Sequence, residues 1–194
     1  MWHTLYRVVL IGGWVIGSVI RGKYRGPVRK QKVIDERYRT QEALLLLLSS
    51  VGMFILPILY LTTPWFDGLD YALPVWMGGV GAALHIWGTW LLWRVHVDLG
   101  ANWSPSLQVF GEHELVTGGV YTRIRHPMYA STLLWAVAQV FLLQNWVAGP
   151  CFLISVIPLI LVRLPREERM MAEHFGEAYR EYMTRTRRLI PGVW

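Results

Sequence analysis

The sequence predicts an all-α integral membrane protein with about five transmembrane helices, the last two forming a short hairpin that leads into a C-terminal amphipathic helix. Three observations carry this reading. Hydrophobic residues make up 54% of the chain, whereas a soluble domain of this length needs more charge to cover its surface. The apolar residues fall in long uncharged blocks, as bilayer spans require. The basic residues lie almost entirely between those blocks.

The first span is expected from about Leu5 to Ile20, the second from Ala43 to Leu61 and the third from Leu73 to Trp93. The uncharged stretch Pro127 to Val162 is too long for one span. It divides near Gln144-Asn145-Trp146, with Gly149-Pro150 just beyond. A hydrocarbon core takes roughly 20 helical residues, and the two hairpin helices lie near the lower limit. Arg7, inside the first span, must snorkel to a surface. The basic cluster follows this span instead of preceding it, unlike a signal peptide.

The charges set the expected topology. Arg21 to Arg39 follow the first span, Arg94, Arg123 and Arg125 the third, and Arg163 to Arg188 the fifth. The loop between the second and third spans carries Asp67 and Asp70 and no base. All basic residues except Arg7 thus fall on one side, which the positive-inside rule makes cytoplasmic, with the N-terminus outside and the C-terminus inside. Trp2, Trp65, Trp93 and Trp146 lie near span ends, where interfacial aromatics belong. The net charge of +6 then points to anionic lipids and not to nucleic acid, for which no binding signature is present. Cys151 is the only cysteine, so there is neither an intrachain disulfide nor a cysteine metal cluster. It reads as a packing residue.

Two pieces look soluble. Gly100 to Arg125, with Gly111, Gly118 and Gly119, reads as loop or short extended structure. From Pro165, a proline followed by Glu167 and Glu168 suits a helix start. Met171, Phe175, Ala178 and Tyr182 then share one face of an amphipathic helix that ends before Arg185.

The residues able to carry chemistry gather at the mouth of the fourth span: His113, Tyr121, Arg125, His126 and Tyr129. Arg123 reads as a headgroup anchor. Tyr121 and His113, each taken alone, suit an anchor or a site equally. His126 precedes Pro127, which holds it out of helical geometry and turns it toward any ligand at the helix N-terminus. A second cluster is Arg163-Leu-Pro-Arg-Glu-Glu, where Arg163 and Glu167 share a face if the helix continues through Pro165. A hairpin of spans four and five brings both clusters to one end. His85, His96 and Asp98 read as structural, His85 as a neutral ring bonded to a neighbouring helix. Gly13-x-x-x-Gly17 fits a close helix contact. No histidines form a metal set.

These clusters resemble the isoprenylcysteine carboxyl methyltransferase family and the related membrane phospholipid methyltransferases. The matching residues are His113-Glu-Leu-Val116, Gly119-Val-Tyr121, Arg125-His-Pro-Met-Tyr129, Arg163, Glu167-Glu168 and Phe175-Gly-x-x-Tyr179-x-x-Tyr182, within Gly111 to Pro191. The resemblance implies a catalytic region over residues 100–194, preceded by a three-span membrane region over residues 1–99. It implies S-adenosylmethionine as cofactor, in a pocket lined by His113, Glu114, Leu115, Val116, Tyr121, His126, Pro127, Met128, Tyr129 and Glu167, with no metal. Arg163 would be the catalytic residue facing a lipophilic methyl acceptor that enters from the bilayer, such as the carboxylate of a prenylated cysteine. An amine acceptor would instead need Glu167 or Glu168 as base. The alternatives are an NADPH-dependent membrane sterol or enone reductase, which has a similar Arg-His-x-x-Tyr pattern, and a non-enzymatic membrane scaffold.

Overall fold

The computed structural model describes residues 2–28, 33–36, 39–103, 108–110 and 114–190. The helices are α1 (Trp2–Val28), α2 (Arg39–Ser50), α3 (Leu56–Thr62), α4 (Val75–Leu99), α5 (Pro127–Leu143), α6 (Cys151–Phe175) and α7 (Glu177–Arg185). Two short strands, β1 (Val33–Glu36) and β2 (Gln108–Phe110), pair antiparallel, with Val33 opposite Phe110. Among the described residues the fold is therefore helical with one small ribbon, whose second strand lies in the segment expected to be loop or short extended structure.

Among the described residues, three helical stretches are long and apolar enough to cross a membrane: Trp2–Tyr24, Thr40–Thr62 and Val75–Leu99. Pro127–Leu143 is apolar and shorter. Large apolar side chains such as Val19, Trp76, Ile154 and Leu161 are exposed on the outside of the bundle. On a soluble protein so much apolar surface would be covered; on these helices it is the surface that lipid covers.

Inside, α4 lies along α5 and α1 packs on both. Two glycines allow the close approach of α1. A Cβ on Gly13 would sit 2.0 Å from His85 Nε2, and one on Gly17 2.4 Å from the Trp135 ring. The small-residue motif of the first span is thus a packing seam. His85 is buried and stacked on Trp135 with ring centroids 5.0 Å apart. Neither of its ring nitrogens has a hydrogen-bond partner among the described residues, so stacking takes the place of the expected helix-to-helix bond.

The second span is a single helical rod interrupted by a π-helical turn at Val51–Ile55. Pro57 follows and has no N–H to offer the preceding turn. The Gly52 carbonyl accepts from Gln139 Nε2 and Cys151 Sγ, each at 3.1 Å. Cys151, expected as a packing residue, thus also bonds the π turn through its thiol.

The hairpin divides where the sequence places it. Gln144 takes left-handed geometry at the end of α5, with φ of 49°. Asn145 Oδ1 accepts the N–H groups of Val147 and Ala148 at 3.0 Å, and its Nδ2 donates to Asp70 Oδ1 at 2.8 Å. The tip is thereby tied to the loop between α3 and α4.

One boundary differs from expectation. No helix starts at Pro165: α6 continues through both Pro158 and Pro165 and stops at Phe175. Each proline removes a single backbone hydrogen bond, while burial of Leu159, Ile160, Arg163 and Leu164 holds the helix together across both. The break comes at Gly176, whose φ of 58° favours glycine. Met171 and Phe175 thus close α6, while Ala178 and Tyr182 belong to α7.

The basic tail folds back. Arg125 N and His126 N donate to the carbonyls of Arg187 and Arg188 at 2.7 and 3.0 Å, and Arg187 N donates to Arg123 O at 3.2 Å. Residues 186–189 thus run strand-like beside residues 123–126, an arrangement invisible in a run of arginines.

Candidate active site

Pro127 occupies the first turn of α5, and His126 before it has φ of −125° and ψ of 57°, outside helical geometry. Both are buried. Because α6 remains helical through Pro165, Arg163 and Glu167 emerge on the same face, toward Tyr129 of α5. The Tyr129 hydroxyl donates to Glu167 Oε2 at 2.7 Å. The Arg163 guanidinium carbon lies 6.0 Å from the centroid of the same ring, at the outer edge of cation–π range. His126 sits between two carboxylates, with Nδ1 3.8 Å from Glu167 Oε1 and Nε2 3.4 Å from Glu168 Oε1.

Glu167 and Glu168 have opposite environments. The Glu167 side chain is 29% exposed and lines a cavity. Glu168 is 5% exposed and receives Arg125 Nε at 2.9 Å and Arg188 Nη2 at 2.8 Å. Burial alone would raise the Glu168 pKa, but hydrogen bonds from His126, Arg188 and Arg125 outweigh it and bring it down to about 2. Glu168 is therefore neither a surface cap nor a base. It is the hub of an ionic latch between the start of α5, the middle of α6 and the tail, and Arg125 completes the latch with bonds to the Met183 and Thr186 carbonyls.

A cavity of about 520 Å³ opens beside these residues. Its walls include Glu114, Leu115, Val116, Tyr121, His126, Met128, Tyr129, Arg163 and Glu167, so nine of the residues singled out in the sequence share one space. Pro127 sets the helix start and does not line the cavity. His113 lies outside the described residues. Glu114 is held by its backbone, whose N–H donates to Asn102 Oδ1 at 2.9 Å, while its side chain is exposed. The backbone N–H of His126 is taken by the tail, so only its ring faces the site.

Tyr121 and Tyr182 close one wall. The Tyr182 hydroxyl donates to the Tyr121 carbonyl at 2.7 Å. Burial, reinforced by the nearby Glu167 charge, raises the Tyr121 pKa well above the ordinary phenol value. Burial pushes that of Tyr182 up to about 12. Both hydroxyls stay neutral at physiological pH. The turn carrying Tyr121 is fixed by Asp98, which accepts from Val120 N at 2.9 Å and from Arg94 Nη2 at 2.8 Å. Asp98 is thus structural, as expected. So is His96, fully buried with Nδ1 2.8 Å from the Leu92 carbonyl. Arg123 is exposed, consistent with an anchor.

The opposite wall comes from the first two spans: Ser18 and Gly22 of α1, Ser49 of α2, and Met53 and Phe54 of the π turn. Sequence reasoning missed this wall, and it also missed Glu42. Glu42 Oε1 lies 3.0 Å from Arg163 Nη2, and both side chains are buried. The only signal in the sequence was a single carboxylate at the edge of a long apolar run.

Comparison with known proteins matches residues 81–173 to the model of the isoprenylcysteine carboxyl methyltransferase (ICMT) family. Protein-S-isoprenylcysteine O-methyltransferase B of Arabidopsis thaliana is 31% identical over 120 residues, 61% of this chain and 61% of that protein. The Homo sapiens protein-S-isoprenylcysteine O-methyltransferase is 29% identical over 120 residues, which is 42% of its length. The chain thus spans about three fifths of the plant relative and less than half of the human one. The solved structure of a eukaryotic intramembrane Ras methyltransferase has the same fold, with a TM-score of 0.55 and 24% identity over 82% of this chain and 55% of that one. Residues 81–173, the segment that matches the isoprenylcysteine carboxyl methyltransferase family model, carry Tyr129, Arg163 and Glu167 of the cavity wall.

Proposed function

We propose that this chain is an integral membrane S-adenosylmethionine-dependent methyltransferase that methylates the carboxylate of a prenylated cysteine or a similar lipophilic acceptor. The observation that carries the proposal is the composition of the cavity. One wall offers Glu167 held by Tyr129; the other is built from residues inside candidate membrane spans, and Arg163 stands between Glu42 and Tyr129. A water-soluble cofactor and a lipid-borne acceptor can meet in such a space.

The residues present fit the cofactor. The cavity lies within the usual range for small-molecule sites. Leu115, Val116, Tyr121 and Met128 give an apolar and aromatic surface for a nucleoside base. Glu167 gives a partly exposed carboxylate for its amino group or ribose hydroxyls. When bound, S-adenosylmethionine supplies a methyl group already activated by its sulfonium. The protein's share is to align the acceptor and exclude water, which is worth roughly 7–11 kcal/mol. Arg163 holds the acceptor carboxylate by charge-assisted hydrogen bonds. Such a carboxylate is ionised and needs no base, and Glu168, engaged by two arginines, has no free capacity to act as one.

The whole of α5 and the apolar first part of α6 serve as the fourth and fifth spans, with the site and the C-terminus on the cytoplasmic side and the N-terminus outside. The basic residues of that side meet anionic lipids. The test is calorimetric titration of the detergent-purified protein with S-adenosylhomocysteine and with NADPH. Micromolar binding of the first alone is expected. Binding of NADPH alone would favour a reductase, and binding of neither by folded protein would leave a membrane scaffold.

A further inference from the structure

Glu42 lies outside the segment matched to the family, in the first turn of α2. It is 3% exposed, although Gln41 and Ala43 on either side are exposed. The carboxylate has been drawn inward, out of water. As a device for stability alone, a buried ion pair is a poor choice, because apolar residues of similar volume commonly do as well or better. This pair has a second property. Arg163 gives Nη2 to Glu42 at 3.0 Å, lies on the cavity wall, and its buried Nε has no hydrogen-bond partner among the described residues. A guanidinium clamped at one corner with a donor unpaired is ready for another anion.

Glu167 is a competing carboxylate, one helical turn along α6. Among the described residues Arg163 forms no ion pair with it; Glu167 accepts from the Tyr129 hydroxyl instead and lies 3.8 Å from His126 Nδ1. Beside Glu42, Arg166 Nη2 donates to Gln41 Oε1 at 2.9 Å, so the start of α2 is joined to α6 at two successive residues.

We infer that Glu42 is a positioning residue for the methyl acceptor: it clamps one corner of Arg163, keeps the guanidinium off Glu167, and presents the remaining donors to the acceptor carboxylate. The inference rests on the acceptor role proposed for Arg163. It makes the second span part of the active site as well as a membrane anchor.

The test measures Glu42→Ala, Glu42→Gln and Arg163→Ala with N-acetyl-S-farnesylcysteine, its uncharged carboxamide and S-adenosylhomocysteine. Glu42→Ala is expected to lower kcat/KM by roughly 100-fold, the scale of a misplaced catalytic group. It should erase the preference for binding the carboxylate over the carboxamide, while affinity for S-adenosylhomocysteine changes less than about threefold. Glu42→Gln, which keeps the hydrogen bond and drops the charge, should recover about tenfold of the loss. Should the alanine variant fail to fold, the glutamine variant decides, and one identical to the parent protein overturns the inference. Equal loss of S-adenosylhomocysteine binding would also overturn it, since Glu42 would then support the whole site. A normal Glu42→Ala beside an inactive Arg163→Ala removes Glu42 alone. An active Arg163→Ala removes the acceptor role of Arg163 and this inference with it.

Discussion

The Tyr129 hydroxyl donates to Glu167 Oε2 at 2.7 Å, joining the two helices of the hairpin inside the cavity. The bond fixes one carboxylate oxygen of a residue whose partner in sequence, Glu168, is wholly absorbed by the ionic latch. Two adjacent glutamates thus acquire different tasks because a helix turns about 100° per residue.

Removing that bond should weaken cofactor binding without unfolding the protein. Tyr129→Phe is expected to raise the S-adenosylhomocysteine Kd by about fivefold, the value of one net hydrogen bond of about 1 kcal/mol. Glu167→Ala should raise it further, by more than about tenfold, as a charged partner is lost. Calorimetry reads both, and normal affinity in Glu167→Ala would refute its role.

Arg163→Ala should nearly abolish turnover while S-adenosylhomocysteine affinity stays within a few-fold. A parallel fall in cofactor affinity would take Arg163 out of the acceptor site. Arg123→Ala, at an exposed position, should leave both quantities unchanged.

The latch should be a stability element. Glu168→Gln leaves Arg125 and Arg188 without their shared anion and should cost about 3 kcal/mol, seen as a lower Tm in detergent. The pH dependence has a definite sign. Glu168 has its pKa brought from 4.5 to about 2, so the stability it adds is complete above about pH 4.5 and is lost as pH falls toward about 2. Acid unfolding of the parent protein over that window should flatten in Glu168→Gln.

Gly119 has φ of 59°, and a Cβ there would sit 2.2 Å from Asp98 Oδ2. Gly119→Ala should therefore displace the Asp98 cap and the Tyr121 wall, at a cost of about 1–2 kcal/mol. Loss of both Tm and S-adenosylhomocysteine affinity is the expected result. An unchanged melt would show that the turn can relax.

Much of the site was legible before any coordinates. Uncharged length and Gln144-Asn145 located the hairpin, and the hairpin alone requires Tyr129 and Arg163 to meet. The helix start assigned to Pro165 failed because a local proline rule was outweighed by burial on both sides of it. Glu168 was misread because its partners, Arg125 and Arg188, lie 43 and 20 residues away.

By itself, the sequence determined the apolar helices, the hairpin turn and the residue types of the cavity wall, because hydropathy, proline and asparagine act on the nearest few residues. Only the tertiary structure decided which carboxylate each cation meets. Glu42 with Arg163, and Arg125 and Arg188 with Glu168, are pairings between distant segments. In a poorly hydrated interior the cost of an unpaired charge selects such partners, and nothing local in the chain records that choice.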